Sequence, residues 1–111
     1  MRIRAAVAEN PFMVAGTKRF DTEVMRAFGA RAFTKTGAEG VYCAALPDQG
    51  LGIAIKCDDG AGRAAEAVTA ALITRFLGEG VPERWANPVL RNWNGIEVGA
   101  LRVTHAVGTA R

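Results

Sequence analysis

An α+β fold, with helices packed on an antiparallel sheet, is what these 111 residues predict, and three observations carry the prediction. The strand-like runs cluster in the middle of the chain instead of alternating with helices. Two of them are joined by a four-residue turn, which is too short for a parallel crossover. The longest helical period follows them and has small residues suited to lying on a sheet.

Taken in order, Ile3 to Asn10 reads as a short amphipathic helix stopped by Pro11, because the residue before proline is pushed out of the α region. Phe12 to Thr17 reads as a loop entering a turn at Gly16. A second helix is expected from Asp21, whose carboxylate would cap the first turn while Phe20 staples onto Met25. Gly29 would end it. At about two turns it depends on packing of Val24, Met25 and Phe28 for its stability.

Three strands are then expected, at Arg31 to Thr36, Val41 to Leu46 and Leu51 to Cys57. Pro47-Asp48-Gln49-Gly50 joins the last two as a type I turn, with a pre-set proline and a closing glycine. Pairing about that turn sets Cys43 opposite Ala54, so a Cys43–Cys57 disulfide is geometrically unfavourable. Asp58-Asp59-Gly60 opens the longest helix, Ala61 to Leu77. Its inner face is assigned to Ala64, Val68, Ala71, Leu72 and Phe76, and its outer face to Arg63, Glu66, Thr69 and Arg75. Gly78, Gly80 and Pro82 end it. A turn over Pro82 to Asn87, a strand from Ile96 to Thr104 and a fraying tail after His105 complete the expectation. Trp85 and Trp93 are expected to plug the end of the sheet, and Asn92 and Asn94 to form a loop.

Half of the residues are hydrophobic and 23% are charged, the composition of a folded globular chain. A chain this long makes one domain, or a fragment of one, over residues 1–111 and buries roughly two thirds of its surface. The net charge is +3, but fourteen Lys and Arg are interleaved with eleven acids. That diffuse pattern argues against nucleic acid as a partner. No apolar run reaches the roughly 18–20 residues of a membrane span. Without a signal-peptide core or CxxC spacing, the expected setting is the reduced cytoplasm.

Chemistry points first to Phe33-Thr34-Lys35-Thr36-Gly37-Ala38-Glu39-Gly40. A Lys-Thr-Gly at a strand end can place an ammonium beside a nucleophile's hydroxyl network, while the glycine lets substrate lie against the strand edge. The plainer alternative is that Lys35 is a solvated lysine discouraging edge pairing. Glu39 reads as a salt-bridging or plain surface carboxylate. Lys56 is either a second active-site cation or an exposed structural lysine. Asp58, with Asp59, suggests a metal-binding carboxylate, against a helix cap. Cys43 reads as a buried hydrophobe more readily than as a nucleophile. His105, with no carboxylate near it in sequence, is not expected to be a catalytic base.

Four blocks together resemble the bacterial type II L-asparaginases. They are Gly16-Thr17-Lys18-Arg19-Phe20-Asp21-Thr22, Lys35-Thr36-Gly37-Ala38-Glu39-Gly40-Val41, Gly52-Ile53-Ala54-Ile55-Lys56-Cys57-Asp58-Asp59-Gly60 and Arg91-Asn92-Trp93-Asn94-Gly95-Ile96-Glu97-Val98-Gly99. The resemblance implies the C-terminal part of a β-lactamase-like, glutaminase-related fold that hydrolyses L-asparagine to aspartate and ammonia. It implies Lys35 as the active-site ammonium, Thr36 and Gly37 along the substrate edge, and Glu39 beside the substrate, with Lys56, Cys43 and Asp58 in secondary places. The family's Ser-x-x-Lys nucleophile has no counterpart here, since the chain contains no serine. None of its threonines has a lysine three residues downstream. The implied cofactor content of this stretch is none, with the zinc ligands of some family members expected mostly outside it. The implied partners are the substrate and either a second copy or a complementing N-terminal half. The competing expectation is a non-catalytic module that binds a small ligand or a protein through the Lys35 edge.

Overall fold

The computed structural model describes residues 2–108. Helix α1 spans Arg2–Glu9 and leads directly into α2, Pro11–Ala15. The expected loop after Pro11 is therefore a helical turn. Pro11 sits at its start, where a fixed φ and a missing N–H suit the helix, and the Gly16 N–H closes it on the Phe12 carbonyl at 2.8 Å. Helix α3 runs over Phe20–Phe28 and buries Phe20, Val24, Met25 and Phe28. Asp21 lies inside it, and the N-cap is Arg19, which makes no side-chain cap. The capping role expected of Asp21 is thus replaced by a different one, described below.

Strands β1 (Phe33–Thr36), β2 (Val41–Leu46) and β3 (Leu51–Lys56) form one antiparallel sheet in that order. Gly29–Arg31, between α3 and β1, is a 3-10 turn, so β1 starts two residues later than the sequence suggests. The Pro47–Gln49 segment closes tightly, with Gly50 in the left-handed region at φ 63°. Cys43 faces Ala54, as the turn dictates, and both cysteines are free thiols.

One face of this sheet presents Thr34, Tyr42, Ala44 and Leu46, all buried, together with half-buried Leu51, Ile53 and Ile55. It packs on α3 and on α4, Gly62–Leu77. Phe20 anchors this core, meeting Tyr42 and Trp85 edge to face at ring separations of 5.3 and 5.4 Å, a geometry favoured by the ring quadrupoles. The face of α4 differs from the expected one. Ala65, Ala67, Thr69, Ala70 and Ile73 are buried, while Phe76 is 40% exposed. Six of its sixteen residues from Gly62 to Leu77 are small Gly or Ala, so apolarity alone leaves the rotation of the helix ambiguous. Thr69 is tolerated inside because its hydroxyl donates to the Ala65 carbonyl at 2.7 Å.

Helix α5, Glu83–Ala86, is followed by a hairpin of β4 (Val89–Arg91) and β5 (Glu97–Ala100), and then by α6, His105–Gly108. β4 was not foreseen, and the strand expected over Ile96 to Thr104 is shortened to β5. The two pair in a separate sheet, so the expected single sheet becomes two. The polar run Asn92 to Gly95 folds the hairpin turn, with Asn92 Oδ1 accepting the N–H groups of Asn94 and Ile96 at 3.0 Å. Trp93, at its tip, is fully exposed and plugs nothing. No helix among the described residues is long and apolar enough to cross a membrane.

Candidate functional site

The Lys-Thr-Gly segment ends β1, an edge strand. Lys35 is exposed and lies opposite Cys43, also exposed, on the sheet face turned away from α3 and α4. Cys43 is thus not the buried hydrophobe its neighbours suggest. The Lys35 ammonium donates to the Thr36 carbonyl at 2.8 Å and keeps its remaining donors free for solvent or an anionic group.

The Gly37 N–H donates to the Val41 carbonyl at 2.8 Å. In an antiparallel ladder this turns the Lys35 and Gly37 amides inward to β2, and the Thr34 and Thr36 amides outward to the free edge. The outward Thr36 N–H is taken by Asp21, whose Oδ2 accepts it at 3.3 Å. Asp21 is completely buried. Its second oxygen, the Thr34 hydroxyl and the Tyr42 hydroxyl are buried side-chain atoms without a hydrogen-bond partner. Burial, followed by the charges of Asp21 and Glu66, pushes the Tyr42 phenol far above its ordinary range, so it is a neutral donor group. Burial also raises Glu66, which Arg19 partly offsets.

Beyond the strand, the chain turns back through Gly37 to Gly40. A Cβ at Gly37 would stand 3.0 Å from two side-chain atoms of Val41, which explains the glycine. Glu39 is held at φ 57°, uncommon for a residue with a side chain. Its exposed side chain stands at the tip, while its carbonyl accepts the Lys56 ammonium, which also donates to the Cys57 carbonyl. Gly40 crosses the loop after β3 so closely that a Cβ there would meet the Gly60 carbonyl carbon at 2.9 Å. The Cys57 N–H donates to the Gly40 carbonyl at 2.9 Å.

The fold therefore brings Lys35, Thr36, Gly37, Glu39 and Lys56 to one end of the sheet, with exposed Asp58 in the adjoining loop. Lys56 acts as a clamp between two loops. Asp59 rather than Asp58 makes the local bond, accepting the Ala61 N–H at 2.9 Å before α4. Two residues of this region were missed in the sequence: Tyr42 was not singled out, and Asp21 was read as a cap. A carboxylate flanked by Phe20, Thr22 and Val24 is the one local signal of burial. Trp85 is half-buried on the other side of α3, where Glu23 accepts both its indole N–H and the Arg84 guanidinium. The Arg84 hydrogen bond holds the Glu23 carboxyl below its usual range.

The amino-acid sequence matches the family described as L-asparaginase II over residues 1–103. The chain belongs to the L-asparaginase II family. No curated protein matches it in sequence. At the level of the family this is an asparaginase-like protein, whose substrate class is an amide such as asparagine. An L-asparaginase of this family has no general requirement for a cofactor. As for zinc, no three of His, Cys, Asp and Glu come together among the described residues in a way that could hold a metal ion. The donors of the described residues do not fit a metal centre.

Proposed function

We propose that this chain forms one wall of an L-asparagine amidohydrolase active site, with Lys35 as its ammonium. The supporting observation is the placement of Lys35 at an exposed strand edge, beside a Gly37–Gly40 turn fixed by Val41, Lys56 and Gly60. A preorganised cation costs no rearrangement when negative charge develops on a substrate oxygen. In this reading the Lys35 ammonium stabilises ionised groups during attack on the side-chain amide. Thr36 and Gly37 form the edge on which the substrate rests, and Glu39 receives its amino group. Lys56 positions the turn through the Glu39 carbonyl. Asp58 stays in a secondary place at the loop, and Cys43, facing Lys35, borders the site without acting as nucleophile.

The hydroxyl nucleophile is contributed from outside these 111 residues, which contain no serine. The site completed in this way is of the β-lactamase-like type, and the reaction is L-asparagine and water to L-aspartate and ammonia. The test is ammonia release from L-asparagine by the chain alone and after mixing with the serine-bearing N-terminal part of a related enzyme. Release only in the mixture, reduced about 100-fold or more by Lys35→Ala, is the expected result. A mixture as silent as the chain alone would remove the complementing-wall reading and leave a non-catalytic module binding through the same edge.

A further inference from the structure

Among the described residues, the buried side-chain oxygens left without a hydrogen-bond partner are Asp21 Oδ1, the Thr34 hydroxyl and the Tyr42 hydroxyl. They belong to one place. Thr34 and Tyr42 lie on the core face of the sheet, with Tyr42 opposite Thr36, and α3 lays Asp21 against the same strand. Each of the three residues is no more than 1% exposed. Folded interiors leave few such groups unpaired, so three together point to a bound partner.

The charge balance says of which kind. Asp21 Oδ2 accepts the Thr36 amide, and among the described residues no lysine or arginine forms an ion pair with Asp21. Glu66, half-buried on α4, adds its own negative charge to this region, and Arg19 bears on Glu66. A buried carboxylate is retained with a counter-charge, which a water molecule does not bring. The Tyr42 hydroxyl also lies near Thr36. The Thr36 hydroxyl donates to the Gly37 carbonyl at 3.3 Å, which leaves its lone pairs to accept the phenolic proton. The lone pairs of Tyr42 then remain for a cation held by Asp21. Hard metal cations take about six or more oxygen ligands, more than this cluster offers. An ammonium ion is satisfied by hydrogen bonds to about three or four acceptors.

We propose that Asp21, Thr34 and Tyr42 form a buried site for one ammonium ion, which donates to Asp21 Oδ1 and to the two hydroxyl oxygens. Ammonium is also the product of the amide hydrolysis proposed above, but the site follows from the buried cluster and does not rest on that reading.

The experiment follows urea unfolding of the whole chain at pH 7 in ammonium, potassium and tetramethylammonium chloride at equal ionic strength. In ammonium the folding constant is expected to rise about tenfold for each tenfold increase above the dissociation constant, with no comparable rise in the other salts. Isotopically labelled ammonium should show nuclear Overhauser contacts to Tyr42 and Thr34. Tyr42→Phe and Thr34→Val, folded by far-ultraviolet circular dichroism, should each weaken ammonium binding about 10-fold, and Asp21→Asn should abolish it. The same response in all three salts would mean that the hydroxyls bond Asp21 directly. Equal responses to potassium and ammonium would mean a metal ion. Either result overturns the proposal, as does an ammonium effect untouched by Tyr42→Phe and Thr34→Val. No readout is catalytic, so failure here is distinct from a silent ammonia-release assay.

Discussion

Replacing Gly40 with alanine tests whether the turn that follows Lys35 is held by its crossing with the loop after β3. Gly40 has φ 71°, and an added Cβ would lie 2.9 Å from the Gly60 carbonyl carbon, 3.1 Å from its Cα and 3.2 Å from the Ala61 nitrogen. All three are backbone atoms, so no side chain can swing aside. The left-handed conformation costs an alanine about 1–2 kcal/mol. Separating two backbones by several tenths of an ångström adds about 1–3 kcal/mol, as in overpacked interiors. Gly50 provides the control. It has φ 63° with nothing within 4 Å of its Cβ position, so Gly50→Ala carries the conformational part alone. Urea denaturation of the two variants should therefore place Gly40→Ala about 1–3 kcal/mol below Gly50→Ala, at similar m-values. Equal losses would show that the Gly40–Gly60 approach is loose, and with it the fixed position claimed for Glu39 and Lys56.

Three further outcomes follow from polar side chains in or beside the core. Tyr42→Phe removes a buried hydroxyl that lies near Asp21 and Thr36 without a well-formed hydrogen bond to either; thermal unfolding should show stability changed by less than about 1 kcal/mol, whereas a larger loss would reveal a hydrogen bond to that group. Glu66 has a raised pKa because of burial, so its ionised form weakens the fold above that value and the penalty fades as pH falls. Glu66→Gln should accordingly raise the melting temperature at pH 7 and lose its advantage below the ordinary glutamate range; an advantage that persists in acid would contradict the cause. Glu23 is the opposite case, its pKa lowered chiefly by Arg84. It contributes stability that is complete above its unfolded value and lost as pH falls through the folded one. Because solvent screens the exposed Arg84, Glu23→Gln should cost no more than about 0.5 kcal/mol at pH 7, a difference that must shrink in acid.

The middle of the fold was legible because its signals are local. The Pro47 to Gly50 turn sets the register of β2 on β3 by chain geometry, and that register alone places Cys43 against Ala54. Where signals are not local, the reading failed for identifiable reasons. An alanine-rich helix such as α4 has nearly the same apolarity on several faces, and the sheet decides which one turns inward. Thr69 then enters the core with its hydroxyl satisfied by its own helix. β4 has only three residues and an apolar content too brief to show a period. The Asn92 side chain closes the turn that follows it, bonding the Asn94 and Ile96 amides, and the pairing of so short a strand across that turn leaves no periodic signal.

The site shows the same division, and Asp21 explains it best. Its neighbourhood in sequence fits a helix start equally well, since an acidic residue in the first turn favours the helix wherever its side chain points. What distinguishes the two roles is the distance of α3 from β1, fifteen residues further on, where the Thr36 amide is otherwise unpartnered at the strand edge. A buried carboxylate is retained only with compensation, and that amide supplies part of it. The same bond occupies the outward amide nearest Lys35, and the Gly37 amide is already given to Val41, so a substrate lying against this strand must take its backbone donors from beyond Gly37. The sequence motif names the ammonium, while Asp21 determines which backbone donors remain open beside it.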